Sequence, residues 1–301
     1  MVSISQRGGI KLNSYLSPTG LSSYSYCPRL CYLNQHLPYS GTKTEFTVLG
    51  SFEHEMFAKE AEVAKQELLK SQKLEQNYQK RHEEIFNYCY GLARVNYPQF
   101  LEIISNNRES ILYRLEKLAE TRQNQLKQYL DQGYSWSSAI ELVYPLQVEY
   151  WLQNSNLGIR GRTDTIYKAE DGTLIVEDIK SHTTRFNAFI HESEHKTQLV
   201  AYAILAEAEF QLPVNAGRIF FSQDLSIKSF QITDEDKQEL IQIKNKVANI
   251  SYTGIPDKLE GKESLKCSHC YKKEVCFSID QKNSDLIVEN YIPIKSKELN
   301  N

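Results

Sequence analysis

Asp164, Asp178 and Lys180 are the residues of this sequence whose types and spacing could do chemistry together. Two β-rich runs, 162–169 and 173–180, flank Glu170, Asp171 and Gly172. A three-residue connection ending in glycine suits a type I turn followed by a left-handed bulge. That loop fixes the register: cross-strand partners sum to the same value as Ala169 plus Thr173, so Asp164 falls opposite Asp178. Side chains alternate along a strand, so Lys180 shares the face of Asp178 while Glu177 points the other way. Facing carboxylates repel unless a cation lies between them. Hard oxygen ligands beside a lysine suit Mg²⁺- or Mn²⁺-assisted hydrolysis of a phosphodiester.

The elements that position these residues can be read on either side of the hairpin. The stretch 139–153 and the run 157–167 bring in β-branched and aromatic residues, with Asn154, Ser155 and Asn156 between them, so a three-stranded meander is expected to end at the aspartates. Glu149 is a further possible acid on its first strand. A helix follows over about 192–210, then strands over 216–223 and 227–232. Thr233 caps an acidic first turn of a last long helix reaching about 249. Strands, helix, strands, helix predict a mixed sheet flanked by helices, an α/β (mixed α+β) class. Upstream, 57–133 is rich in Glu, Lys, Gln, Leu and Ala, and Phe57, Ala61, Ala64 and Leu68 keep helical spacing, as do Ile111, Leu115 and Leu118. This is expected to be a helical insertion, opened by the run from Gly50 to Met56 with His54 near the first helical turn. His54 becomes a metal ligand if the carboxylates lie nearby.

Six cysteines in a chain with no export signal are expected to be thiols or metal ligands. Cys267, Cys270 and Cys276 lie at spacings used by zinc and by iron–sulfur clusters. Either His269 completes a cramped site or a thiolate returns from elsewhere, Cys27 being the best placed. Pro28 marks a helix start after Cys27. Cys31 and Cys89 read as packed core thiols. His191 to His195 matches the His-Glu-x-x-His pattern of zinc proteases, but the polar Ser193 and Glu194 and the want of a third ligand argue against that site. Gln198 and Tyr202 project from one helix face. Tyr202 fits an apolar set with Leu199, Ala203 and Leu205, and Gln198 reads as solvent-exposed. A net charge of −3 gives no global sign of a polyanionic partner. No stretch reaches the 18 apolar residues of a membrane span, so no membrane association and a cytoplasmic location are expected.

The ordered motifs are Cys-Pro-Arg from Cys27, Gly-x-x-x-His from Gly50 to His54, Gly-Arg-x-Asp ending at Asp164, Asp-x-Lys at Asp178 to Lys180, Gln-x-x-x-Tyr at Gln198 to Tyr202, and Cys-x2-Cys-x5-Cys at 267–276. Together they resemble the iron–sulfur-containing RecB-like nucleases of the PD-(D/E)XK superfamily, in particular the CRISPR-associated RecB-like exonucleases. The resemblance implies a restriction-endonuclease-like core and a 4Fe-4S cluster on Cys27, Cys267, Cys270 and Cys276. It implies Mn²⁺ or Mg²⁺ on His54, Asp164 and Asp178 with the carbonyl of Ile179. Lys180 would orient the attacking water, and Gln198 and Tyr202 would touch DNA. The implied substrate is single-stranded DNA or its ends. The implied setting is processing of DNA before integration into a CRISPR array, with CRISPR integrase proteins as partners. Recombination, repair or a mobile element is an alternative setting, and a non-catalytic DNA-binding subunit is an alternative of another class. The expected organisation is an N-terminal segment 1–56, the helical insertion 57–138, the nuclease core 139–250, a cluster segment 251–280 and a flexible tail 281–301.

Overall fold

The computed structural model describes residues 15–37, 43–74, 78–182 and 191–279. The expected tail from 281 onward lies outside the described residues. Two short helices, α1 (Pro18–Tyr26) and α2 (Pro28–His36), each begin at a proline, whose missing N–H costs a helix nothing in its first turn. A helical group follows: α3 (Glu45–Ser71), α4 (Gln79–Asn96), α5 (Leu101–Asn106), α6 (Arg108–Asp131) and α7 (Trp136–Val143). The sheet is built from β1 (Gln147–Asn154), β2 (Ile159–Lys168), β3 (Leu174–Lys180), β4 (Val214–Phe221) and β5 (Ser226–Gln231), in the spatial order β1-β2-β3-β4-β5. Helix α8 (Glu192–Phe210) connects β3 to its parallel neighbour β4, and α9 (Asp234–Asn249) follows β5. Short helices α10 (Leu265–Ser268) and α11 (Lys273–Ser278) end the described chain. None of the described helices is long and apolar enough to cross a membrane.

The hairpin keeps the register expected of its loop. Ala169 donates its N–H to the Thr173 carbonyl at 2.8 Å, and Gly172 takes the left-handed conformation (φ +83°) that a bulge glycine supplies. Thr165 then pairs with Glu177 and Lys168 with Leu174. One further step along the same ladder sets Asp164 across from Asp178.

Two expected boundaries are corrected. The helix containing His54 starts at Glu45, where Thr44 and Thr47 form a capping box, so His54 lies in its third turn rather than its first. The segment 139–143, expected to open the first strand, is the end of α7. Ala139, Ile140 and Val143 pack at helical spacing into a small core with Ala64, Leu68 and Leu126, and Ser135 caps the helix. Burial against α3 outweighs the β preference of the branched side chains.

The sheet is covered on both faces. On one, α8 packs Leu199, Tyr202, Ala203 and Leu205 against Leu174, Val176, Ile219 and Phe221, with α1 and α9 behind it. The middle of α8, 198–206, is buried on nearly every side and so lacks one polar face, while its two ends carry charged residues. On the other face α3, α4 and α6 share a core with Phe220 and Ile179. Buried ions tie this group down: Glu53 accepts from Arg114 at 2.6 Å and from Ser222 at 3.0 Å, and Glu60 pairs with Arg122 and Arg81. Gly50 brings α3 close to the residue that follows β3. A Cβ there would lie 2.4 Å from Ser181 Oγ and 3.2 Å from its Cβ, so glycine lets the helix pass without displacing that side chain, and His54 follows one turn later.

The two ends of the described chain meet. The buried Arg29 guanidinium donates to the carbonyl of Pro256 at 2.8 Å and to that of Cys276 at 3.3 Å, and Tyr26 Oη donates to the Lys266 carbonyl at 2.7 Å.

Candidate active site and cysteine cavity

The hairpin delivers both aspartates to one place, and each is held differently. Asp164 Oδ2 accepts the backbone N–H of Ile179 at 2.6 Å. Asp178 is 3% exposed; its Oδ1 accepts from Gln198 Nε2 at 2.7 Å, and Lys180 Nζ lies 2.8 Å from its Oδ2. Lys180 also reaches Gln198 Oε1 at 3.5 Å. Glu177, on the opposite face as its register requires, accepts from Thr165 and Arg218.

Helix α3 brings His54 between two carboxylates. Its Nε2 lies 3.0 Å from Asp164 Oδ2 and its Nδ1 3.0 Å from Glu149 Oε1. Glu149 Oε2 in turn meets Arg162 Nε at 2.8 Å. The ladder pairs Val148 with Thr165 and Tyr150 with Thr163, so Glu149 occupies the slot opposite Asp164. Its backbone is left-handed there (φ +50°), a conformation that costs a non-glycine residue about 1–2 kcal/mol. Strain of this kind in mid-strand is held where the surrounding structure re-aims a side chain.

Among the described residues, His54, Glu149 and Asp164 form the group of three ligating side chains whose donor atoms all lie within 4.8 Å of one another. The donor set fits a hard divalent ion: one imidazole and several carboxylate oxygens. Two buried oxygens, Glu149 Oε1 and Asp178 Oδ2, make no aligned hydrogen bond despite their charged neighbours, which leaves lone pairs for a cation. Two residues of the expected ligand set, His54 and Asp164, are thus brought together, and Glu149 lies with them. Asp178 adjoins the group but is engaged by Lys180 and Gln198, while Ile179 contributes its N–H to Asp164. The signal that finds Glu149 in the sequence is the same arithmetic used for the hairpin, applied across the β1–β2 turn.

The electrostatics follow from burial and crowding. Burial pushes the Asp178 carboxyl up to about 6, with Lys180 opposing and Asp164 reinforcing the rise. Burial works to lower His54, but the flanking carboxylates of Asp164 and Glu149 outweigh it and raise the imidazole to about 10. For Lys180, burial is likewise overcome by Asp178, and its pKa is raised. At neutral pH the protonated His54 and Lys180 thus lie among the carboxylates.

Gln198 is 7% exposed and Tyr202 5% exposed, so the solvent-exposed position expected for Gln198 is corrected. Gln198 buttresses Asp178, and Tyr202 Oη donates to the Arg162 carbonyl at 2.9 Å beneath β2. Tyr202 does join the apolar set expected for it. The side chains facing open space are others: a groove of about 1300 Å³ is lined by Glu149, Arg162, Ile179 and Lys180 on the sheet side and by His54 and its neighbours on α3, with Tyr88 of α4, on the other.

Cys27, Cys267, Cys270 and Cys276 line one small cavity, together with Tyr26 and Leu30. Burial raises the thiol pKa of Cys27 and of Cys270, and their sulfur neighbours add to the rise. Among the described residues no three of these sulfurs fall within 4.8 Å of one another. Cys31 and Cys89 lie apart as buried thiols, pushed up to about 11 and about 12, chiefly by burial. The His-Glu-x-x-His match opens α8: His191 Nδ1 lies 2.7 Å from Glu194 Oε2, the His191 and His195 rings stack at 5.8 Å, and burial drives His195 down to about 3.

Residues 15–277 match the family model of the PD-(D/E)XK nuclease superfamily. No curated protein matches the chain.

Proposed function

The chain belongs to the PD-(D/E)XK nuclease superfamily, and on that premise we propose that it is a Mg²⁺- or Mn²⁺-dependent exodeoxyribonuclease that hydrolyses phosphodiester bonds at single-stranded DNA ends. The observation that carries this reading is the convergence of His54, Glu149, Asp164, Asp178 and Lys180 on one centre, of which His54, Glu149 and Lys180 line an open groove. A divalent ion there would be held by His54, Glu149 and Asp164, with Asp178 Oδ2 adjoining, and would supply Lewis acidity toward the phosphate and a lowered pKa for water. Lys180 places a cation beside Asp178, where it can orient the attacking water and counter charge developing on the phosphate oxygens. Gln198 holds the Asp178 carboxylate in one orientation, and Ile179 does the same for Asp164. Water adds to phosphorus as the bond to the leaving oxygen breaks.

We assign the cysteine cavity to a 4Fe-4S cluster. A single tetrahedral ion about 2.3 Å from each sulfur would hold its thiolates about 3.8 Å apart, and the wider spacing of these sulfurs favours a larger group. The ordered motifs support a place in trimming DNA before its integration into a CRISPR array, beside integrase proteins.

The test is cleavage of end-labelled linear and of circular single-stranded DNA with Mn²⁺. Wild-type protein is expected to shorten the linear strand and spare the circle, and Asp164→Ala and Lys180→Ala to abolish cleavage. Cleavage by both variants at the wild-type rate would place the reaction centre elsewhere; equal cutting of the circle would make the enzyme an endonuclease.

A further inference from the structure

Helix α3 presents Phe46, Gly50 and His54 at i, i+4 and i+8, and all three line the groove. The face that carries the metal-site histidine therefore carries, about 12 Å along the helix axis, an aromatic ring that is 87% exposed. Between them Gly50 has no side chain to block the path. On the facing helix α4, Tyr88 opens onto the same groove and is 55% exposed, and Tyr97 lines it with Lys43 Nζ 3.9 Å from its ring centroid. Scattered exposed aromatics are ordinary on a protein surface; two on one groove leading to a reaction centre, with the half-buried Tyr97 beside them, are not scattered.

The charges of the groove do not explain how it would grip a polyanion. Lys59 is paired with Glu62 at 2.7 Å, Arg162 with Glu149 at 2.8 Å and Lys180 with Asp178 at 2.8 Å, and Glu55 adds a further acid. With these three cations so matched, their attraction for phosphates is small, and Lys43 over the Tyr97 ring adds one more cation. What the walls offer is flat apolar rings, and every base has a π face that can stack on one.

We infer that Phe46 and Tyr88 form a stacking platform for unpaired bases of the strand being cut, giving the helical region its role. The inference rests on the nuclease reading of the same groove and names residues that select single-stranded over duplex substrate. Bases within a duplex already stack on one another and present no free face, so a double helix gains nothing from these rings. Because stacking rather than ion pairing supplies the affinity, binding should depend only shallowly on salt.

The experiment is fluorescence anisotropy of a labelled single-stranded oligonucleotide and of its abasic counterpart, with Ca²⁺ replacing Mn²⁺. The chains compared are wild type, Phe46→Ala, Tyr88→Ala, the double alanine variant and Tyr88→Phe, each checked for wild-type circular dichroism. The platform predicts that each alanine weakens binding of the normal strand roughly tenfold. Tyr88→Phe should keep wild-type affinity, wild type should bind the abasic strand poorly, and the double variant should no longer distinguish the two strands. Equal binding of normal and abasic strands by wild type, or wild-type affinity in the double variant, overturns the platform. Cleavage assays separate the two ideas: an active wild type with an unaffected double variant removes the platform and leaves the nuclease, whereas base-dependent binding without cleavage removes the nuclease and leaves the platform.

Discussion

Gln198 donates its side-chain amide to Asp178 Oδ1 across 2.7 Å, and both residues are buried. The contact joins the interior of α8 to the proposed reaction centre, where Gln198 would have a positioning role. Partners one layer behind a metal site are typically worth 10–100-fold in activity or metal affinity. Gln198→Ala should lower kcat by about that factor while leaving the KM for DNA close to wild type. A change in KM alone would mean that Gln198 acts on the strand and not on Asp178.

Glu149 completes the group with His54 and Asp164, and its strained backbone holds it there. Glu149→Ala and His54→Ala should each raise the Mn²⁺ concentration for half-maximal cleavage by about tenfold or more. Isothermal titration of Mn²⁺ into the metal-free protein checks this directly. An unchanged midpoint in Glu149→Ala would remove it from the ligand set.

The raised pKa of Asp178 acts in opposite directions on activity and on stability. The proposed reaction requires the carboxylate, so the rate should fall as pH drops through about 6, with an inflection that moves lower as Mn²⁺ rises, because metal and proton compete. For the metal-free fold the folded value lies above the unfolded one, so the stability from this group is full below the unfolded value and is lost as pH rises through about 6. Asp178→Asn, which removes the buried charge, should therefore raise the Tm of metal-free protein at pH 7.5 while abolishing cleavage. A Tm lowered by this substitution would show that the Lys180 pair outweighs burial.

Gly50 and Gly91 test the close approach of α3. Replacing a helix-interior glycine by alanine gains about 0.5–1 kcal/mol where space allows. Gly91 in α4 has nothing within 4 Å of an added Cβ and should show that gain. Gly50→Ala meets Ser181 Oγ at 2.4 Å and should lower the Tm and the activity together. The same alanine in a Ser181→Ala background should recover most of the loss, as differential scanning fluorimetry would show.

The cysteine cavity predicts which thiols matter. Anaerobically purified protein should contain iron and acid-labile sulfide, lost on Cys27→Ala as on Cys270→Ala and kept on Cys31→Ala and Cys89→Ala. Zinc in place of iron, indifferent to Cys27, would mean a local site on the C-terminal cysteines.

What the sequence by itself determined lies where local rules are stiff. A glycine-ended loop of three residues sets a register through backbone geometry alone, so the placing of Asp164, Asp178 and Lys180 on one face, and of Glu177 on the other, could be counted off. The caps at Pro28 and Thr233 and the packed stripe Phe57, Ala61, Ala64 and Leu68 were legible for the same reason. Tertiary structure decided what depends on distant surfaces. Burial against α3 turned 139–143 into helix, a capping box moved the start of α3 back to Glu45, and packing of α8 against the sheet drew Gln198 inward onto Asp178. Glu149 needed both: its register slot can be counted, but the left-handed backbone that turns its carboxylate to His54 is stable only because the sheet and α3 hold it there. Local rules fix backbone geometry over a few residues; the orientation of a buried polar side chain depends on a partner that the fold alone brings within reach.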